Sequence, residues 1–177
     1  MLTKIAGAVA LLVGILCAVI AMRPADFRLL RSTTVNAPPE KVFALINDFK
    51  QWESWSPWAK LDPKMKTTYS PVTAGTGATY AWVGNSDVGE GKMTITGSEP
   101  PQRVAIRLEF LAPFAATNQT EFVLTPVDAG TKVDWTMNGT NNFMAKAFDF
   151  VMNMDKTVGA DFEKGLAQMR AAAESQK

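Results

Sequence analysis

The chain has 177 residues, and its 18 Lys and Arg residues nearly balance its 17 Asp and Glu residues. The resulting net charge of +1 leaves no electrostatic footprint for nucleic acid, so we expect no nucleic-acid partner. Histidine is absent, which removes the commonest general base, the Ser-His and Cys-His nucleophile pairs and most zinc sites, and we expect neither a metal nor a cofactor.

The first element is an uncharged apolar stretch, "IAGAVALLVGILCAVIAM", over residues 5–22. As a helix it would span roughly 27 Å, close to the ~30 Å hydrocarbon core of a bilayer. A membrane anchor, a cleaved signal peptide and a buried core helix are the three alternatives, and the length favours a single-pass anchor. We therefore expect residues 1–23 to be the anchor (or a signal peptide), with membrane contact through residues 5–22, and residues 24–177 to form one globular domain. Lys4 flanks one end and three arginines follow the other, a slight bias towards a cytoplasmic domain.

A strand and two short helices come next. "FRLLRSTTVN", residues 27–36, ends in β-branched residues and is typical of a strand. "APPEKVFALINDF" has helical spacing of apolar residues, and its prolines are tolerated in a first helical turn. "KQWESW" predicts a second short helix that Pro57 stops. Trp52 and Trp55 can then bury one common face as a structural anchor point, with Trp58 also reaching towards a cavity.

Residues 66–141 change to a two-residue period interrupted by turn residues, which predicts six strands in an antiparallel meander. The glycine pairs "GTG" at 75–77 and "GEG" at 89–91 precede strands, so we interpret both as hairpin turns rather than phosphate-binding loops. Helical periodicity returns from Asn142 to about Glu174. The segment "NNFMAKAFDFVMNM" within it is dense in Phe and Met and predicts a separate short helix.

This order of elements resembles the helix-grip fold of the START-like superfamily, which includes polyketide cyclases or dehydrases, lipid-transfer domains and plant pollen allergens. The opening pattern "APPEKVFALINDFKQWESWSPW" is similar to that of the superfamily. "NNFMAKAFDFVMNMDKTVGADFEKGLAQM" resembles the closing helix of membrane-anchored polyketide-cyclase-like proteins. The resemblance covers residues 27–174. It implies an α+β helix-grip fold, in which a curved antiparallel sheet of about seven strands wraps around a long C-terminal helix, with two short helices after the first strand and a separate N-terminal apolar helix.

Strand phase sorts the polar residues. Each carboxylate of the predicted strands falls on the outward phase, whereas Asn118 and Thr120 share the inward phase of Phe122 and Leu124. A mostly apolar cavity with a few convergent polar groups is typical of a small-molecule site. The candidate ligand-binding residues are Trp58, Tyr80, Trp82, Met93, Phe110, Asn118, Thr120, Trp135, Met144 and Phe148.

Three functions are consistent with these features. The first hypothesis is a membrane-tethered domain that binds a small apolar or amphipathic molecule, lipid-like or aromatic, between the sheet and the C-terminal helix. The second, which the resemblance permits, is a cyclase or dehydrase acting on a polyketide-like or aromatic substrate, whose catalytic residues stay unknown. The third is an interaction or stress-related module whose cavity is filled by its own side chains.

Overall fold

The structure, a computed structural model, describes residues 2–175. The two short turns Phe49–Gln51 and Pro57–Lys60 are 3-10 helices, and they flank α3. The elements are, in chain order, α1 (Leu2–Met22), β1 (Asp26–Val35), α2 (Pro39–Asn47), α3 (Trp52–Trp55), β2 (Lys66–Tyr69), β3 (Thr79–Val83), β4 (Glu90–Glu99), β5 (Arg103–Ala112), β6 (Ala116–Val127), β7 (Gly130–Thr140), α4 (Phe143–Met152) and α5 (Met154–Ser175).

The seven strands form one antiparallel sheet in the order β1-β7-β6-β5-β4-β3-β2. Strands β2 to β7 follow one another as a meander, and β1 closes the far side by pairing with β7. Alternate residues of β4 to β7 are buried, as expected for a sheet with one covered face. The predicted α+β helix-grip fold, with its two short helices after the first strand and its long C-terminal helix, is confirmed.

The tryptophan segment packs one side of the core. The indole N–H groups of Trp52 and Trp55 donate hydrogen bonds to the carbonyl oxygens of Ile46 and Leu45 in α2, each at 2.9 Å. Trp55 is completely buried, and its ring contacts Trp135 on β7 edge-to-face at 5.8 Å. These two tryptophans therefore join α2, α3 and the sheet, which is the structural role predicted for them.

An arginine fastens the start of α5 to the edge strand β1. The guanidinium of Arg31 lies 2.8 Å from a carboxylate oxygen of Glu163 and 3.2 Å from one of Asp155. Gly159 makes this possible, because a Cβ at that position would collide with the guanidinium. Hydrogen bonding to Asp155, aided by Glu163, raises the pKa of Arg31. Charge pairing at this edge thus complements the apolar packing of α5.

The N-terminal helix stands apart from the core. Lys4–Met22 forms a stretch of 19 residues that is long and apolar enough to cross a membrane, and nearly all of it is exposed. A membrane anchor and a signal sequence share these properties. Its last turn packs against α4, the separate short helix predicted from the Phe- and Met-rich segment.

Candidate ligand-binding face

One row of residues crosses all seven strands on the concave face of the sheet. Each member lies directly opposite the next in the strand register, so the six side chains of the row and the open position of its one glycine are on the same face. The row lies at the end of the sheet where β1 begins, only four residues after α1 ends at Met22. We call it the concave row, and its members are Tyr69, Tyr80, Met93, Leu108, Asn118, Gly139 and Phe27.

Aromatic rings cover the β3 side of the concave row. Tyr80 stacks on Trp82 at 5.8 Å, and Trp82 meets Phe110 edge-to-face at 6.0 Å. Burial, together with the nearby charge of Glu53, raises the pKa of Tyr80. Burial and then the hydrogen bond to the Glu53 carboxylate raise the pKa of Tyr69 to about 12. Both phenols keep their O–H groups at neutral pH, as tyrosines ordinarily do, and that of Tyr69 donates a 3.0 Å hydrogen bond to Glu53.

An asparagine and a phenylalanine meet over a glycine on the β1 side of the row. A Cβ on Gly139 would collide with the side-chain oxygen of Asn118, and it would lie 2.6 Å from the ring of Phe27. Asn118 is buried, and its amide makes a long contact of 3.9 Å to the sulfur of Met137. A buried amide among apolar groups is the kind of polar group that orients a ligand.

The row ends at a recess of about 160 Å³ between β1, β7 and the junction of α4 with α5. Its floor is apolar and comes from Phe27, Leu29, Met137, Met154 and Val158. Its rim is polar and comes from Arg28, Asn141, Asp149 and Asp155. A shallow groove of about 560 Å³ lies on the opposite face of the same end of the sheet, since Arg28, Gln119 and Asn138 alternate with residues of the concave row.

The two carboxylates at the rim are already paired with arginines. Asp149 accepts a 2.8 Å hydrogen bond from Arg23, and Asp155 pairs with Arg31. Held in ion pairs, they are polar groups with fixed positions at the rim. Among residues 2–175, no group of three or more His, Cys, Asp or Glu side chains is arranged to hold a metal ion.

Three of the candidate residues are packed into the core beneath α5. The Trp135 ring stacks on Phe162 at 3.9 Å and on Phe122 at 4.7 Å. Its indole N–H donates to the hydroxyl of Thr120, which donates in turn to the carbonyl oxygen of Thr136. Trp58 is half-buried against the same rings. The structure thus gives Trp135 and Thr120 packing and hydrogen-bonding partners within the protein.

This hydrogen-bond chain leads to a testable prediction for Thr120. Thr120→Val keeps the shape of the side chain but leaves the buried indole N–H of Trp135 without its acceptor. We expect a loss of about 1–3 kcal/mol in the free energy of unfolding, measured by urea denaturation of the full chain in detergent. Thr125→Val, at an exposed position of the same strand, is the control. Equal midpoints for the two variants would contradict a structural role for Thr120.

Two candidate residues lie elsewhere. Met144 and Phe148 were expected to line a cavity beneath the C-terminal helix, but they belong to α4 and are 60% and 52% exposed. The reason is that α4 packs against α1 and not across the sheet. Met144 and Phe148 therefore do not line a cavity beneath the C-terminal helix, and the exposed face of α4 is a separate surface.

Sequence reasoning missed the residues of the recess. None of the ten candidates is among its lining residues, although Asn118 contacts Met137 and lies beside Phe27 across Gly139. The two-residue phase of β1 could have identified Phe27 and Leu29 as inward-facing. The apolar stripe of α5 could likewise have identified Met154 and Val158. What the sequence does not reveal is that α5 begins over the β1 edge of the sheet.

The fold and this face define a START-like helix-grip domain. A family model described as "Polyketide cyclase / dehydrase and lipid transport" matches residues 27–174. Because this range takes in most of the chain, the protein belongs to that family. The match begins after α1, so the apolar helix lies outside the family's domain.

Solved structures show the same fold at low sequence identity. Protein CV1439 from Chromobacterium violaceum matches with a TM-score of 0.60 and 18% identity, over 86% of this chain and 100% of that one. Protein MLL2253 from Mesorhizobium loti matches with a TM-score of 0.63 and 14% identity, over 85% and 99%. The Aha1 dimer from Colwellia psychrerythraea matches with a TM-score of 0.58 and 17% identity, over 85% and 98%. A comparison with curated proteins gave no match.

Proposed function

We propose that this protein is a membrane-tethered domain that binds a small apolar or amphipathic molecule between its sheet and α5. The observation that carries the proposal is the recess at the end of the concave row, where an apolar floor meets a polar rim. A ligand with one apolar part and one polar group matches both surfaces. The family description, which includes lipid transport, supports the same class of ligand.

The size of the recess sets what enters it. A cavity of about 150 Å³ accommodates a benzene molecule, so the recess of about 160 Å³ has room for one ring or a short alkyl segment. The remainder of a longer ligand would lie along the concave row, over Leu108 and Phe110, which are only partly buried. Asn118 and the rim residues would orient its polar group, whereas Tyr80, on β3 and five strands away from β1, would contact only the far end of a long ligand.

Methyl NMR of the full chain in detergent micelles tests this proposal. With ¹³C-methyl methionine, the Met137 and Met154 methyl groups report from the recess floor. We expect saturable chemical-shift changes at both when toluene or decanoate is added. Met169, fully buried elsewhere in the core, should not respond. If Met137 and Met154 stay unchanged with both probes, the proposal is wrong.

A filling variant provides the matched test. Val158→Phe places a larger side chain in the recess and should abolish the shift at Met137, because the ligand loses its space. Val127→Phe makes the same change at an exposed position at the far end of β6 and should leave binding unchanged. Binding that survives Val158→Phe unaltered would place the ligand outside the recess.

A further inference from the structure

The outer face of α4 is a surface without a protein partner in the structure. Every exposed residue of this helix is apolar, and Val151 is 78% exposed. Its two charged residues, Lys146 and Asp149, are partly covered, as are the small residues Ala145 and Ala147. A helix in water usually exposes its charged residues and covers its apolar ones, so α4 has the reverse arrangement. The exposed residues are Phe143, Met144, Phe148, Phe150, Val151 and Met152.

The position of α4 identifies what covers this face. The ammonium group of Lys146 lies 3.2 Å from the carbonyl oxygen of Ala21, near the end of α1. Arg23 forms an ion pair with Asp149 at 2.8 Å, and its guanidinium lies 5.6 Å from the centre of the Phe150 ring. These contacts hold α4 beside the last turn of α1. The exposed apolar residues of α4 therefore lie next to a helix whose own surface is apolar and exposed.

The end of α1, with α4 beside it, corresponds in position to a membrane interface. A span over residues 5–22 would be roughly 27 Å long and would place Met22 at one edge of the ~30 Å hydrocarbon core. Arg23 and Lys146 would then lie among the lipid headgroups, where basic side chains are favourable. Phe and Met side chains of an interfacial helix bury about 5–10 Å into the headgroup and acyl boundary.

We infer that α4 is a second membrane contact, a helix lying in the interface of the same bilayer that α1 crosses. This inference rests on the proposed tether. It also adds a consequence for the ligand site, because Asp149 of α4 and Met154 just beyond it line the recess. The opening of the recess would face the lipid, and an apolar ligand could pass between the two without crossing water.

Spin-label accessibility in phosphatidylcholine vesicles tests the inference on the full chain. On a Cys17→Ser background, single labels are placed through Phe148→Cys and Val151→Cys on α4. Leu12→Cys reports on the middle of α1, and Val127→Cys reports on the far end of the sheet. We expect the α4 and α1 labels to collide more with oxygen than with a water-soluble nickel complex, and the Val127 label to show the reverse.

The outcomes separate the inference from the proposed tether. A lipid-like label at position 12 with water-exposed labels at 148 and 151 would overturn the inference and leave the tether intact. Water exposure at all three would overturn both. If the α4 labels are shielded from both reagents and show spin–spin broadening that fades on dilution with unlabelled protein, a second copy covers this face. That result also overturns the inference.

Discussion

Trp55→Ala is expected to lower the free energy of unfolding by about 3–5 kcal/mol, the usual cost of truncating a large core aromatic. The Trp55 side chain is 0% exposed and lies where α2, α3 and β7 meet. Removing it leaves a cavity, because the rings of Trp52, Phe122 and Trp135 are held by contacts that do not involve Trp55. It also removes the hydrogen bond to the carbonyl oxygen of Leu45.

Two further variants identify the cause of this loss. Trp55→Phe retains a ring without the indole N–H group and should fall between the wild type and Trp55→Ala. Phe114→Ala removes a ring that is 66% exposed, so we expect a change within about 0.5 kcal/mol. Unfolding is followed by far-UV circular dichroism in urea, since tryptophan fluorescence changes with the mutation itself. If Trp55→Ala were as stable as Phe114→Ala, the packing role would be disproved.

The sheet was predictable because one of its faces is covered. In β5 and β6, alternate positions must be apolar to contact α2 and the core, and Val104, Ile106 and Phe122 are buried as their phase indicates. The same parity correctly turned Asn118 and Thr120 inward. Local pattern was therefore sufficient for the strands, their order in a meander and the direction of their side chains.

The accessible part of the concave face was not predictable in the same way. Whether an inward residue is free to meet a ligand depends on where α5 lies, and this is a long-range property. A Cβ on Gly165 of α5 would lie 2.9 Å from the Trp135 ring and 3.2 Å from Pro57. The missing side chain lets α5 approach closely, and the rings of Trp135 and Phe162 then fill the space expected for a ligand.

The position of α4 was also not predictable from local sequence, because it too depends on a long-range contact. Its sequence indicates a short apolar helix, which on pattern alone is equally consistent with packing over the sheet. The ion pair between Arg23 and Asp149 joins residues far apart in the chain. It places Met144 and Phe148 on the outside. No periodicity within residues 142–154 contains that information, because the partner is the end of α1.

One glycine of the "GEG" segment has a role beyond the predicted hairpin turn. Gly89 has φ 63° and belongs to the turn before β4, as "GEG" suggested, but Gly91 lies within β4 at a β-bulge. A Cβ on Gly91 would collide with the Trp82 ring and would lie 2.6 Å from the carbonyl oxygen of Glu109. Because Gly91 has no side chain, the Trp82 ring can extend from β3 over β4 towards β5.

Gly91→Ala should therefore destabilise the domain and displace Trp82 from the concave face. Neither obstacle is a flexible chain end, since one is an indole ring and the other is backbone. We expect a loss of about 1–3 kcal/mol, as for other overpacked sites, measured by urea denaturation. The indole ¹H–¹⁵N signal of Trp82, assigned through Trp82→Phe, should move as its 2.9 Å hydrogen bond to the carbonyl of Val88 is strained.

Gly97 provides the matched control in the same strand. A Cβ there would meet the Ala105 side chain at 3.5 Å, an ordinary contact, so Gly97→Ala should be neutral or should stabilise by up to about 1 kcal/mol. Equal stability of the two alanine variants, with the Trp82 signal unmoved, would show that β4 yields to a side chain at 91. In that case the position of the Trp82 ring would not depend on Gly91. The opposite result would make Gly91 the residue that shapes the aromatic side of the concave face.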